Sequence, residues 1–459
     1  MSKNADVIGW GGEVVDTADY KTPTQMGNGR TSTGASYVKQ IKFYVDDDET
    51  PVITPAADDL DILETQGNCY SVSENDGDEL VVFYGGPGLV VAILFSSALL
   101  GDGRQFGGLK TILKTIKTED GEVIDCVNIL KQPAFSHPLL LNHTIQLEPS
   151  FNAITNCFRS RGDLLIQSWH KYGQCPDGSI PIVRKLMQGN NNRPIFPKQF
   201  PPFSSADMLQ NNNDANYQHQ WALVSADRDG QIQGGHAKIN NWRPFVNQEG
   251  GSMSQIWIAA SSGDNDRETI EVGWMVAPST GSSDSKIFIY WTNDNYQSTG
   301  CYNLDCPGFV QTSNTLAIGA KLANISTYGG AQFDIEYDVR KDPKSKNWWL
   351  TINGQTQGYW PAKLFKKMSK NADVIAWGGE VVDSVDYKNP THMGNGRTTE
   401  ENPSYVKQLK FYVDDEDAPE VTPAADDLSI LETQGNCYAV SENDGDELVV
   451  FYGGPGCPE

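Results

Sequence analysis

The chain has 459 residues, enough for about two to four domains and for a sizeable hydrophobic core. It contains 59 acidic and 35 basic residues, so its formal net charge is −24 and its sequence pI is about 4.6. A surface of this sign repels nucleic acid and anionic membranes, which argues against both as partners. It suits an acidic compartment, where protonation of carboxylates reduces the self-repulsion of the chain.

The beginning of the chain returns near its end. Residues 1–88 and residues 368–456 are identical at about four positions in five, with one residue inserted near Asn402. Solenoid repeats recur in series and diverge, whereas about 280 unrelated residues separate this pair. We interpret residues 1–88 as a duplicated fragment of the C-terminal part, or as the tail of a neighbouring gene read together with this one.

Residues 89–108 contain a strongly apolar run, Leu89–Leu100, and a glycine-rich linker. The run is too short to span a bilayer but matches the apolar region of a signal peptide; a buried strand or helix is the alternative. The chain begins with the polar residues Met1–Asp6, which do not have the pattern of a signal peptide. We still expect a secreted or vacuolar protein, because eight cysteines favour an oxidising compartment.

Residues 109–211 form a mixed, more basic region. Within it, Leu109–Lys117 is amphipathic and predicts a helix, so we expect an α+β region here. The region ends in a stretch rich in proline and asparagine, which predicts an exposed connector.

Residues 212–459 have the pattern of a mainly β domain. From Phe333 to Val339, apolar and acidic residues alternate, which is typical of a half-buried antiparallel strand. Many short strands with frequent turns predict two packed antiparallel sheets, an antiparallel β-sandwich.

Common catalytic and cofactor motifs are absent from the sequence, and its six histidines are scattered, so we expect no cofactor and no metal site. Two glutamates differ from the other acidic residues: Glu271 (TIEVGW) and Glu380 (AWGGEVV) lie among apolar residues. Burial raises a carboxyl pKa, and a nearby second carboxylate raises one of the two further. Such a pair can perform acid–base hydrolysis, although each glutamate alone also fits an outward-facing strand position.

Longer motifs between Phe106 and Cys457 resemble the neprosin family, secreted plant prolyl endopeptidases of the glutamic peptidase type. The region 119–149 is similar to the family's activation peptide. The motifs of the catalytic part are IEVGW (270–274), GCYNLDCPGFVQ (300–311), GYWPA (358–362), WGGE (377–380) and FYGGPGC (451–457). They follow one another in the order of the family.

The resemblance implies that Glu271 and Glu380 are the catalytic pair of a zymogen that cleaves peptides after proline at acidic pH. Residues 109–211 would be the activation region and residues 212–459 the catalytic domain, with the cleft covered until removal near 195–215. One glutamate would activate water while the other polarises the carbonyl or protonates the leaving amine; their roles stay open. We expect a monomer acting on peptides or proteins that contain proline.

Three aromatic residues, Trp274, Trp377 and Tyr290, are candidate cleft walls for a proline ring, with core packing as the alternative for each. The chain departs from the usual family pattern at Met275 and His392, where glutamine is usual. We expect these two changes to affect rate and specificity rather than the class of reaction.

Within this layout we expect three disulfides, Cys126–Cys175, Cys301–Cys306 and Cys437–Cys457. In the first copy Leu89 takes the place of Cys457, so Cys69 would lack its partner. Asn142 and Asn324 begin glycosylation sequons.

Three other interpretations stay open. A β-sandwich with an aromatic cleft would bind glycans or cell-wall polymers without turnover. A glycosidase also uses two carboxylates, about 5 to 10 Å apart around a sugar. A fused gene product would lack activity altogether.

Overall fold

The computed structural model describes residues 111–151, 167–184, 196–202, 216–261, 266–399, 402–414, 419–444 and 447–457, with the backbone of five strands before residue 86. The expectations for residues 89–108 and for Cys69 lie outside the described residues.

The strands are β1 Ser36–Lys39, β2 Phe43–Tyr44, β3 Val52–Ile53, β4 Ser71–Asp76, β5 Leu80–Gly85, β6 Ile112–Lys117, β7 Val123–Asn128, β8 Ser179–Val183, β9 Tyr217–Asn240, β10 Gly251–Ala260, β11 Glu268–Ala277, β12 Ser282–Thr292, β13 Val310–Gln311, β14 Asp334–Lys341, β15 Trp348–Ile352, β16 Gln355–Trp360, β17 Ala372–Ser384, β18 Ser404–Val413, β19 Glu420–Val421, β20 Ser429–Glu432, β21 Ala439–Asp444 and β22 Leu448–Gly453. Short 3₁₀ helices span Ile129–Lys131, Pro133–Ser136, Pro138–Leu140, Ser168–Tyr172, Pro278–Thr280, Ala362–Leu364 and Ala425–Asp427.

The long strand β9 organises residues 212–459 because its two halves join different parts of one curled antiparallel sheet. Its first half pairs with β17, and the order continues through β10 and β11 to β12. Its second half pairs with β14 and β18, which lead to β15–β16–β13 and to β22–β21. The main core cluster draws buried side chains from both parts, including Trp274, Trp348 and Trp377. The prediction of a mainly β fold is confirmed.

The activation region contains a three-stranded sheet in the order β6–β7–β8. The helix predicted over Leu109–Lys117 is wrong, since Ile112–Lys117 forms β6 and pairs with β7. Pairing with β7 buries Ile116 and leaves Ile112 44% exposed, so tertiary contacts override the amphipathic pattern. In the described part of this region the helical elements are short 3₁₀ helices. The mixed α+β structure expected there is therefore replaced by strands and 3₁₀ helices.

The two copies of the repeated segment form the same strand pairings. In the first copy β1, β5 and β4 make a three-stranded sheet in which Ser36 lies opposite Tyr84. In the second copy the equivalent residues of β18 and β22, Ser404 and Tyr452, lie opposite each other. The hairpin β2–β3 likewise has the register of β18 with β19. In the second copy, however, β18 also pairs with β9.

Candidate active site

Both glutamates of the predicted pair lie on one face of the sheet, on strands that flank β10. Glu271 of β11 lies opposite Trp257 of β10, and Glu380 of β17 lies opposite Met253 of the same strand. Because side chains alternate along a strand, Met253 and Trp257 point to the same face, and the two glutamates join them there.

The glycines of the WGGE motif give Glu380 its place. Gly378 has a φ of +153°, and a Cβ there would lie 2.4 Å from the carbonyl oxygen of Ala222 on β9. A Cβ on Gly379 would lie 2.7 Å from the sulfur of Met393. Only glycine therefore allows β17 to approach its neighbours this closely.

The two carboxylates meet at one ammonium group, which belongs to residues 196–202 of the expected activation region (the activation segment). Lys198 Nζ lies 2.7 Å from Glu271 Oε2 and 2.6 Å from Glu380 Oε2. All three side chains have no solvent-exposed surface. A buried cation between two buried carboxylates balances part of their charge, and its own pKa is raised: burial lowers it, but Glu271 and Glu380 outweigh that effect.

Glu380 is held mainly by charged and strongly polar donors. Gln255 Nε2 donates to Oε2 at 2.7 Å, and His219 Nδ1 lies 2.8 Å from Oε1. The imidazole of His219 stacks on the ring of Trp221, with 5.6 Å between the ring centroids, so its orientation is fixed. Burial alone would raise the pKa of Glu380, but the Lys198 ammonium and the His219 hydrogen bond outweigh it and hold that pKa below its usual value.

Glu271 has neutral hydroxyl donors instead. Its Oε1 accepts hydrogen bonds from Tyr296 Oη at 2.7 Å and from Thr269 Oγ1 at 3.2 Å. Burial raises the pKa of Glu271; the Lys198 ammonium opposes the rise, and the negative charge of Glu380 adds to it. The surroundings therefore favour a proton on Glu271 and a negative charge on Glu380.

The aromatic residues beside the pair are partly different from the predicted ones. Tyr290 lies opposite Glu271 on β12, whereas Trp274 and Trp377 lie in the main core cluster. The alternation of a strand explains this, because Trp274 is three residues from Glu271 and points to the other face. Other aromatic residues on the face of the pair include Trp221, Trp257, Phe288, Tyr296 and Tyr302.

The remaining predicted residues are also described. The structure contains the disulfides Cys126–Cys175, Cys301–Cys306 and Cys437–Cys457, as expected. Asn142 and Asn324 are exposed, and glycosylation there stays a prediction. Met275 joins the apolar cluster on the face of the pair, and the ring of His392 contacts Phe245.

Sequence reasoning missed Lys198 because it treated the proline-rich connector as exposed. That expectation is wrong for residues 196–202, where Phe196, Lys198 and Phe200 are each 5% exposed or less. The alternation of Phe196, Lys198 and Phe200 at every second position was the available signal for an inserted extended segment. His219 was missed because its partner is distant in sequence.

The activation region also contacts the catalytic domain away from the pair. Lys321 Nζ lies 2.6 Å from Asp120 Oδ2 of the activation region and 3.4 Å from Asp284 Oδ2 of β12. The backbone N–H of Lys321 donates to Glu122 Oε1 at 3.1 Å. These contacts fasten the activation region beside β12.

Within the described residues, no helix is both long and apolar enough to cross a bilayer.

Two family models match the chain. The model described as Neprosin matches residues 1–87 and 248–455, and the model described as Neprosin activation peptide matches residues 115–225. Among solved structures, two of scytalido-glutamic peptidase with transition-state analogues are similar, at 10% and 11% identity. Each match covers 51% of this chain and 99% of the other, with TM-scores of 0.28 and 0.29.

Proposed function

Because the chain belongs to the neprosin family, we propose that it is the secreted zymogen of a glutamic endopeptidase that cleaves after proline at acidic pH. Glu271 and Glu380 are its catalytic pair. The observation that carries the proposal is the buried contact of both carboxylates with Lys198 of the activation segment. Peptides or proteins containing proline are the substrates, and the protein acts as a monomer in an extracellular or vacuolar compartment.

Latency follows from the position of Lys198. Its ammonium group lies between the carboxylates, where an attacking water would have to lie, and its positive charge weakens Glu380 as a base. Removal of the segment opens this position to water. Acidic conditions assist removal, since protonation of the carboxylates weakens the ion pairs that hold the ammonium.

The two glutamates then have different roles. Glu380, ionised and oriented by His219 and Gln255, takes a proton from the water as it attacks the scissile carbonyl carbon. Glu271, protonated and oriented by Tyr296, donates a hydrogen bond to the carbonyl oxygen and afterwards supplies the proton for the leaving amine. The peptide C–N bond breaks, leaving a carboxylic acid and an amine, and the proton taken by Glu380 passes to Glu271 through water, which restores both groups.

Replacing His219 by glutamine is expected to move the acidic limb of the kcat profile upward by about one pH unit. Glu380 must be ionised to act as base, and its pKa rises when the His219 contact is lost, so activity falls first at the lowest pH. Initial rates between about pH 3 and pH 7 measure the shift. A His219→Phe variant, which keeps a ring stacked on Trp221, should shift the acidic limb of the profile in the same way. If kcat falls but the acidic limb does not move, His219 has a structural role and does not set the pKa of Glu380.

The experiment that tests the proposed function uses processed protein and peptides that differ at one position. A peptide with a single proline should be cut on the carboxyl side of that proline at about pH 4 to 5, and its alanine counterpart should be cut far more slowly. Mass spectrometry of the products locates the cut. If protein whose activation segment has been removed leaves the peptide uncut over the whole pH range, the proposal is refuted.

A further inference from the structure

Residues 196–200 insert a side chain into the catalytic domain at every second position. Phe196 is 2% exposed, Lys198 is 5% exposed and Phe200 is 4% exposed, while the residues between them are partly exposed. This alternation is that of an extended chain lying against a surface. Lys198 reaches the carboxylates, so the two phenylalanines mark the surface on either side of the pair.

The ring of Phe196 fills a pocket of the catalytic domain that is shaped for it. It packs edge-on against Tyr302, with 5.9 Å between the ring centroids. The pocket is floored by Gly251, where a Cβ would lie 2.1 Å from Phe196 Cζ. The other members of this cluster are Met253, Met275, Ala277, Phe288, Tyr290 and Val382. The pocket is therefore apolar, and the absence of a side chain at Gly251 makes room for the ring.

This pocket adjoins the catalytic pair. Met253 of its lining lies directly opposite Glu380, and Gly251 lies opposite Val382, two residues further along β17. Phe196 belongs to the segment that must leave, so removal exposes an apolar, ring-sized pocket beside the carboxylates. Exposed apolar surface next to reacting groups is a binding site for a substrate side chain.

We propose that the pocket of Phe196 is a substrate subsite that receives an aromatic side chain of the peptide, with Gly251 as the residue that determines its size. The proposal rests on the proposed function, and it adds an aromatic preference to the preference for proline. A proline ring is smaller than a phenyl ring and would leave part of the pocket empty, losing contacts. Burial of a phenyl ring is worth on the order of ten- to a hundred-fold in affinity.

The test uses the chain with Phe196→Ala and Glu271→Gln, processed so that the activation segment is removed from the cleft and turnover is blocked. Fluorescent peptides with one proline carry either phenylalanine or alanine at each position from three before to three after it. We expect one position at which phenylalanine strengthens binding at least ten-fold. Adding Gly251→Ala should remove this preference, so that the phenylalanine and alanine peptides bind with equal affinity.

Gly251 does not adopt the left-handed backbone region, and Phe196→Ala removes the ring that a new Cβ would strike, so the added alanine is compatible with folding. If no position prefers phenylalanine, or if the preference persists with Gly251→Ala, the subsite is refuted. Binding requires no catalysis, so these outcomes are separate from the proposed function. The same peptides incubated with processed protein that retains Glu271 test cleavage independently.

Discussion

Replacing Glu271 or Glu380 by glutamine is expected to lower kcat/KM for a proline-containing peptide by about 10²- to 10⁴-fold. Glutamine keeps the size of the side chain and can still hydrogen-bond to Tyr296 or His219, but it can neither accept nor release the proton. The two residues act as a unit, so the double variant should be little worse than either single variant. Initial rates of the processed variants at about pH 4 to 5 measure the loss.

Glu268 provides a matched control on the same strand as Glu271. It is also a buried carboxylate, but its oxygens accept backbone N–H groups of Lys366, Lys367 and Met368 at 2.8 to 2.9 Å. Glu268→Gln should lower stability and leave kcat/KM of the folded protein unchanged. Full activity of either catalytic variant, or an equal loss in Glu268→Gln, would show that the catalytic assignment is wrong.

Replacing Lys198 by methionine is expected to destabilise the full-length chain by about 3 to 5 kcal/mol near pH 7, and by much less near pH 4. In the wild-type chain, the lowered pKa of Glu380 contributes stability above the usual glutamate pKa, and this contribution is lost as pH falls through the lowered value. Lys198 stays charged throughout this range, because its pKa is raised. Without the ammonium, burial raises the pKa of both carboxyls, so both must take up a proton when the chain folds. Protonation at pH 7 costs free energy, which lowers the stability of the folded state.

Denaturant unfolding at the two pH values measures this difference. Lys344→Met is the matched control, since Lys344 is exposed and its replacement should change little at either pH. An equal loss of stability at both pH values for Lys198→Met would mean that lost packing, rather than the ion pairs, is responsible.

The sequence was sufficient to predict the sheet-rich fold and the apolar surroundings of Glu271 and Glu380, because both depend on local patterns. The catalytic role of the two glutamates, which the family resemblance implies, stays a prediction. Alternating apolar residues specify strands whatever their partners are. The WGGE motif contains glycines that only a close strand approach requires, as at Gly378. The same alternation, applied strictly, would have placed Trp274 on the face away from Glu271.

Contacts between distant parts of the chain could not be predicted in the same way. Lys198 meets Glu271 and Glu380 only after β10, β11 and β17 have paired, and no local pattern states which strands become neighbours. Ile112–Lys117 shows the opposite effect, because its amphipathic spacing suits a helix until β7 provides hydrogen bonds to a strand. Pairing partners, not propensities, decided both cases.

Because the two copies share a strand register, both can compete for pairing with β9 during folding. The first copy leaves the ribosome well before the second and contains strands with the same pairing instructions, so speed of synthesis does not favour the copy that pairs with β9. Covalent chemistry distinguishes them instead. Cys437 and Cys457 form a disulfide that encloses the last hairpin of the second copy. The first copy has Leu89 at the position of Cys457, so it cannot form the equivalent disulfide. We therefore expect formation of the Cys437–Cys457 disulfide to retain the second copy once it has paired with β9.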